Sequence, residues 1–265
     1  TGEYITTSAK LQVGHPPGAP LYQMLGAIFS GFAIDKENIG FAMNLMSGFS
    51  SALTIAFMYW SIVLIIKKIS ARIENSIKKQ LSISCAALIG SLSFAFTDSF
   101  WFNAVETEVY AMATLIMSIL FYLGLRWEAS MHKPRGNKWL LLICFVIGLS
   151  FGVHFMGLLT IPAIVMIYYF KNQNEILDSF NLGPISGFII ANVIGVGILM
   201  GIFKLLLPNT LKFFSAIELL FVNNFGLPFN SGTLTAFIIL ISAFTFFILY
   251  TKKEKLIKTN LNLFF

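Results

Sequence analysis

Apolar runs long enough to cross a bilayer recur along this chain, cut by short charged loops, and they leave it few folds. A helix needs about 20 apolar residues to cross the hydrocarbon core. In lipid every backbone polar group must be paired internally, so helices or a closed barrel are the only spanning forms. Residues 41–66, 81–97, 109–125, 184–207 and 233–250 read as helical spans. The run 139–170 is apolar for 32 residues, about 48 Å as one straight helix and too long for one crossing. Gly148, Gly152, His154, Gly157 and Pro162 interrupt it, so it reads as two short spans, 139–153 and 155–170, turning near His154. The expectation is an all-α polytopic transmembrane bundle of about seven spans.

The charges are sided. Lys67, Lys68, Arg72, Lys78 and Lys79 fill one loop, and Arg126, Lys133, Arg135 and Lys138 another. Lys171 and the group Lys252, Lys253, Lys255 and Lys258 complete 14 of the 18 basic residues. The positive-inside rule makes these loops cytoplasmic. The opposite loops carry Glu3, His15, Asp98, Glu106, Glu108 and His154. Charged residues are 11% of the chain and its mean hydropathy is +0.79, against about 25% charged in a soluble domain. The net charge of +6 belongs to loop anchors, which argues against a nucleic-acid partner. Cys85 and Cys144 sit inside apolar spans without metal spacing and read as small packing residues.

Two shorter apolar stretches, 20–34 and 211–222, fit interfacial or re-entrant helices on the outer face. The chain is read as one membrane domain over 1–265. An outer catalytic segment with an interfacial helix occupies 1–40, the spans 41–250, and a cytoplasmic end 251–265. The start at Thr1 without a signal peptide leads us to expect a preceding span outside this sequence.

Three outer-face elements could carry chemistry. Glu3 lies in a polar segment, where it reads either as a solvated loop acid or as a general base. His15 heads the stiff run His15-Pro16-Pro17-Gly18, whose prolines and glycine suit a rigid, non-helical turn. In the segment 98–110, Glu106 and Glu108 precede a span, where acids suit a helix dipole. Trp101 and Phe102 beside them read equally as a sugar platform and as an interfacial aromatic belt. His154, inside an apolar run, needs a polar neighbour or water and is either structural or functional. No tight His spacing supports a metal, and no phosphate loop or nucleophile elbow occurs.

These elements, in this order, resemble a bacterial family of multi-pass membrane proteins, formerly of unknown function. That family includes the animal endoplasmic-reticulum protein O-mannosyltransferase acting on plexin-type receptors. The resemblance rests on Gly2-Glu3, on 13–21 with its His-Pro-Pro-Gly core, on Asn44-Leu45-Met46-Ser47, on Phe100-Trp101-Phe102, on Val105-Glu106-Thr107-Glu108-Val109-Tyr110, and on 148–163 around Gly152-Val153-His154. It runs from Thr1 to about Phe170. It implies a GT-C glycosyltransferase with its active site on the periplasmic face of a bacterial inner membrane. The donor would be a sugar on polyprenyl or dolichyl phosphate and the acceptor a protein or glycan, with no metal or other cofactor required. Glu3 would be the catalytic base, and His15, Trp101, Glu106, Glu108 and His154 would bind substrate. In the family an Asp commonly precedes the Gly-Glu pair by two residues, which here falls before Thr1, and the resemblance also implies a C-terminal soluble part outside this sequence. A transporter or flippase is the main rival, disfavoured because the polar residues gather at one face rather than at mid-depth. A non-catalytic envelope assembly subunit is the third reading.

Overall fold

A computed structural model describes residues 2–15, 18–72, 74 and 76–253. Among them the secondary structure is entirely helical. Two compact units share the chain: Thr1–Met131 with Trp139–Thr160, and His132–Lys138 with Ile161–Phe265.

The first unit begins with two short helices, α1 (Gly2–Ala9) and α2 (Pro20–Ser30). Then come α3 (Ile39–Ile69), α4 (Ile77–Ala95), α5 (Asp98–Ala104), α6 (Val109–Ser130) and α7 (Lys138–Ser150). Helices α3 and α6 form its spine. The buried face of α3 is rich in small hydroxyls: Ser47, Ser50, Ser51, Thr54 and Ser61. Small side chains let membrane helices approach closely. Ser50 donates to the Met46 carbonyl at 2.8 Å and Thr54 to that of Ser50 at 2.9 Å, so their hydroxyls are satisfied within the helix. Opposite them α6 buries Ala113, Ile116, Leu120, Leu123 and Gly124.

The two spine helices run in the same sense. Near their starts, the buried Thr107 hydroxyl donates to Asn44 Oδ1. Near their ends, Lys68 and Glu128 form an ion pair at 3.0 Å. Arg126 lies there too, over the Trp139 ring at 4.8 Å, a cation–π contact.

The second unit holds α8 (Ile161–Lys171), α9 (Gln173–Phe180), α10 (Pro184–Gly201), α11 (Leu207–Leu219) and α12 (Ser231–Lys253). Gly187, Ala191 and Gly195 repeat every fourth residue on α10 and are buried. A Cβ on Gly195 would stand 2.9 Å from Pro162 Cα, so this stripe lets α8 lie directly against α10. The Glu218 carboxylate accepts the N–H groups of Asn230 and Thr233, at 2.6 and 2.7 Å, and caps α12.

Four helices are long and apolar enough to cross a membrane: Lys36–Ile69, Val109–Ser130, Pro184–Asn224 and Ser231–Tyr250. Two bent pairs raise the number to six: Ile77–Ala95 with Asp98–Ala104, bent by 72°, and Phe155–Lys171 with Gln173–Phe180, bent by 80°. The chain is thus an all-α, polytopic integral membrane protein. The expected count of about seven differs through α7, whose 13 residues are short for a crossing. The break near His154 is present: α7 ends at Ser150 and a 3-10 run begins at Phe155.

Two expectations change. Glu3 stands in the first turn of α1 rather than in a loop. The stretch 211–222 is not a separate surface helix, because Pro184–Asn224 is one helical course of 41 residues. It passes Pro208 through a π-helical stretch, Ile202–Leu206. Proline removes one donor and crowds the preceding turn, and the wider π turn absorbs that disturbance without ending the helix. Pro16 and Pro17, Thr1 and most of the end expected to be cytoplasmic lie outside the described residues.

Candidate functional site

Helix α1 presents Glu3 to a loop that folds back over it. The helix stops at Leu11, whose φ of 48° turns the chain, and the Gln12 N–H closes the end on the Thr7 carbonyl at 2.8 Å. The buried Gln23 amide of α2 then pins the returning strand of chain. It donates to the Gln12 carbonyl at 3.2 Å and accepts from the Gly14 N–H at 3.2 Å and the Thr7 hydroxyl at 3.1 Å. A Cβ on Gly14 would stand 2.7 Å from the Gln23 side-chain amide and 3.3 Å from Glu3 Oε1, so a larger residue here would push on the clamp.

This clamp delivers His15 to Glu3. The His15 backbone N–H donates to Glu3 Oε1 at 2.7 Å. The ring Nδ1 lies 2.9 Å from Oε1 and 2.8 Å from Oε2. The side chains keep 45% (Glu3) and 57% (His15) of their surface open, so the pair is wetted and reachable. The Glu3 carboxyl is held below its ordinary value of 4.5, first by the His15 backbone N–H and then by the His15 ring. Gly18, at φ 73°, closes the turn by donating its N–H to the His15 carbonyl at 2.8 Å.

A cleft of about 240 Å³ opens beside the pair. Its walls include Glu3, Tyr4 and His15, then Glu108 and Tyr110 at the start of α6, then His154. Glu108 is the N-cap residue of α6, in extended backbone. Partial burial, followed by Glu108, Glu3 and Tyr110, pushes the Tyr4 phenol above its ordinary value, as expected where acids and phenols share one cavity. Tyr4 also packs edge-on against Tyr22, centroids 5.2 Å apart. Tyr22 is almost fully buried and its phenol is pushed up by that burial.

His154 reaches the cleft because 151–154 is tied to α2. The Gly152 carbonyl accepts the Tyr22 N–H at 3.1 Å, and a Cβ on Gly152 would fall 2.6 Å from Leu21 Cβ. The His154 ring lies 5.6 Å from that of Tyr110, and its Nδ1 lies 3.2 Å from the Met156 N–H.

Of the six residues singled out in the sequence, Glu3, His15, Glu108 and His154 line this one cleft. Trp101 and Glu106 are not among its lining residues. Trp101 stacks on Phe96, ring planes 17° apart, and is half exposed. Tyr4 and Tyr110 are not among the candidate site residues of the sequence, although Tyr4 directly follows Glu3 and Tyr110 stands two residues from Glu108. Among the described residues no three of His, Cys, Asp and Glu stand close enough to hold one metal ion.

The chain matches the family model described as "Protein O-mannosyl-transferase TMEM260 N-terminal domain" over residues 1–177. It is 21% identical over 207 residues to the Protein O-mannosyl-transferase tmem260 of Dictyostelium discoideum, covering 74% of this chain and 23% of that protein. To the Protein O-mannosyl-transferase TMEM260 of Mus musculus it is 23% identical over 150 residues, 57% of this chain and 19% of that protein. The chain therefore spans about a fifth of the length of these relatives. No solved structure matches it. The family match runs through every residue of the cleft and most of the chain, so this chain belongs to the Protein O-mannosyl-transferase TMEM260 N-terminal domain family.

Proposed function

We propose that this chain forms the membrane part of a glycosyltransferase. It would move a sugar, mannose by the names of its relatives, from a polyprenyl or dolichyl phosphate to a protein Ser or Thr hydroxyl. The observation that carries the reading is the Glu3–His15 pair, set on a cleft that also holds a second carboxylate, a second imidazole and two phenols. That is a proton acceptor beside a set of groups able to hold hydroxyls. A GT-C arrangement fits its place at the starts of the spine helices, away from the Lys68–Glu128 end. By the positive-inside rule the cleft faces outward, to the periplasm or a lumen.

The acceptor O–H would lose its proton to the Glu3–His15 pair while its oxygen attacks the anomeric carbon. The bond from that carbon to the phosphate oxygen breaks, and the lipid phosphate leaves with the electron pair. One displacement inverts the anomeric centre. Glu108 would accept from a sugar hydroxyl. Val109 and Tyr110 line the cleft at the α6 N-terminus, where the helix dipole favours the charge growing on phosphate. Trp101 and Glu106 would act on the acceptor side, outside the cleft.

The test is radiolabelled sugar transfer from polyprenyl-phosphate mannose to a Ser/Thr peptide, by the whole protein that carries this chain, in membranes. Transfer that inverts the anomeric centre is the expected result. Movement of the lipid-linked sugar across the bilayer without transfer would replace this reading with a flippase.

A further inference from the structure

The two imidazoles of the cleft are set in opposite tautomers. His15 Nδ1 lies against both oxygens of Glu3, at 2.9 and 2.8 Å. An ionised carboxylate only accepts, so Nδ1 carries a proton, and in the neutral ring Nε2 keeps its lone pair. Among the described residues no hydrogen bond engages that Nε2. His154 is the reverse. Its Nδ1 is approached by the Met156 backbone N–H at 3.2 Å. A backbone N–H can only donate, so this Nδ1 is bare and the proton sits on Nε2. Each ring is fixed by its Nδ1 and lines the same cleft, so one offers a base to the cavity and the other a donor.

We propose that His15 Nε2 is the catalytic base, that Glu3 is its positioning residue, and that His154 Nε2–H donates to an anionic phosphate oxygen of the lipid-linked donor. This rests on the transferase reading above and moves the proton acceptor from the carboxylate to the ring. Both Glu3 oxygens are occupied by His15 nitrogens, and a carboxyl held below its ordinary value is a poor base for a hydroxyl. A carboxylate behind an imidazole fixes the tautomer and stabilises the imidazolium that forms. In the step, the acceptor O–H bond breaks and its proton passes to His15 Nε2. The oxygen–carbon bond forms, and the carbon–phosphate-oxygen bond breaks toward the phosphate. The imidazolium then returns its proton to the departing phosphate or to water. The titratable groups facing His15 are Glu3 and Tyr4 from α1, Glu108 and Tyr110 from α6, and His154.

Asparagine separates these roles, because its side chain replaces the Nδ1 edge of a histidine and lacks Nε2. His15→Asn keeps a donor for Glu3, and His154→Asn keeps an acceptor for the Met156 N–H. Transfer from polyprenyl-phosphate mannose to a Ser/Thr peptide is followed across pH in the whole protein. Wild type is expected to lose rate as pH falls through the imidazole range, around pH 6 to 7. His15→Asn is expected to lower kcat by about 100-fold to 10,000-fold with KM unchanged, and to abolish that acid limb. Glu3→Gln is expected to lower kcat with KM unchanged and to lose the single Nδ1–H form of His15 in the ¹⁵N shifts, since the acceptor that fixes it is gone. His154→Asn raises the donor KM and leaves the limb in place. Histidine ¹⁵N shifts of the same protein should show the two tautomers directly. A His15→Asn variant with wild-type kcat, or an acid limb near pH 4 where carboxylates titrate, overturns the role of His15 and leaves the transferase reading standing. Wild type that transfers nothing overturns both.

Discussion

The two units solve the problem of packing helices in lipid with different residues. In the first, α3 buries a row of hydroxyls, and Thr107, Gln23 and Ser8 are also buried. In the second, the contact face of α10 is Gly187, Ala191 and Gly195, with no polar side chain among them. The exposed surfaces differ too. In the span windows of Pro184–Asn224 and Ser231–Tyr250 only 11% of the residues are buried, against 44% in Val109–Ser130. A face of glycine and alanine holds helices together and asks nothing else of them. A face of hydroxyls adds polar groups to the core, of which Ser50 and Thr54 are satisfied within their own helix, and the first unit is also the one whose buried Gln23 amide clamps the loop that carries His15.

The comparison is broken most directly by making the same change in both units. Glu3→Gln should reduce sugar transfer at least about 100-fold. Glu218→Gln, which weakens only the cap on α12, should leave transfer intact and lower Tm by a few degrees. If both variants lose transfer alike, the division between the units fails. Next come the glycines. Gly152→Ala and Gly195→Ala each force a contact below 3.0 Å and should each cost about 1–3 kcal/mol of stability. Only Gly152→Ala should also cut the transfer rate of the folded protein, because it displaces the segment carrying His154. Gly148→Ala, with nothing within 4 Å of its Cβ, is the neutral control.

A smaller effect is expected from Thr107→Val, which leaves Asn44 Oδ1 without its donor. Thermal unfolding should register about 1–2 kcal/mol. The smallest concerns pH. The Glu3 carboxyl is depressed below 4.5 in the folded protein, so its contribution is fully present above 4.5 and is lost as pH falls through the lower folded value. Hydrogen exchange, corrected for the intrinsic rate, should show α1 losing protection below about pH 4.5, while α8 keeps its own.

Much of this was legible in the sequence, and for definite reasons. Apolar length marked the spans, and the expense of a histidine in an apolar run marked the turn at His154. Acids gathered opposite the lysines marked the face that carries the cleft. Helix α1 was not legible, because Gly-Glu-Tyr-Ile-Thr-Thr-Ser-Ala has no apolar period and carries β-branched residues that favour other conformations. It is held by packing on α2 and α3, with Ser8 and a Met43 methyl both within 2.7 Å of where a Gly26 Cβ would be. The helix that continues from 184–207 through 211–222 reads as two in the sequence, since nothing local announces the π turn that carries it past Pro208. The pairing of Glu3 with His15 was out of reach for a similar reason. It depends on Gln23, a residue of another helix, holding the chain in place.

The order in which the cleft's walls lie along the chain has a consequence for how the protein is made. Glu3 and His15 are 12 positions apart and are clamped by Gln23, so the dyad needs only α1, α2 and the start of α3 on which they pack. The opposite walls, at Glu108–Tyr110 and at 151–155, come only after further helices have been threaded into the bilayer. In chain order the acid–imidazole pair therefore comes before the far walls of its cavity. What the later spans bring is the enclosure around that pair.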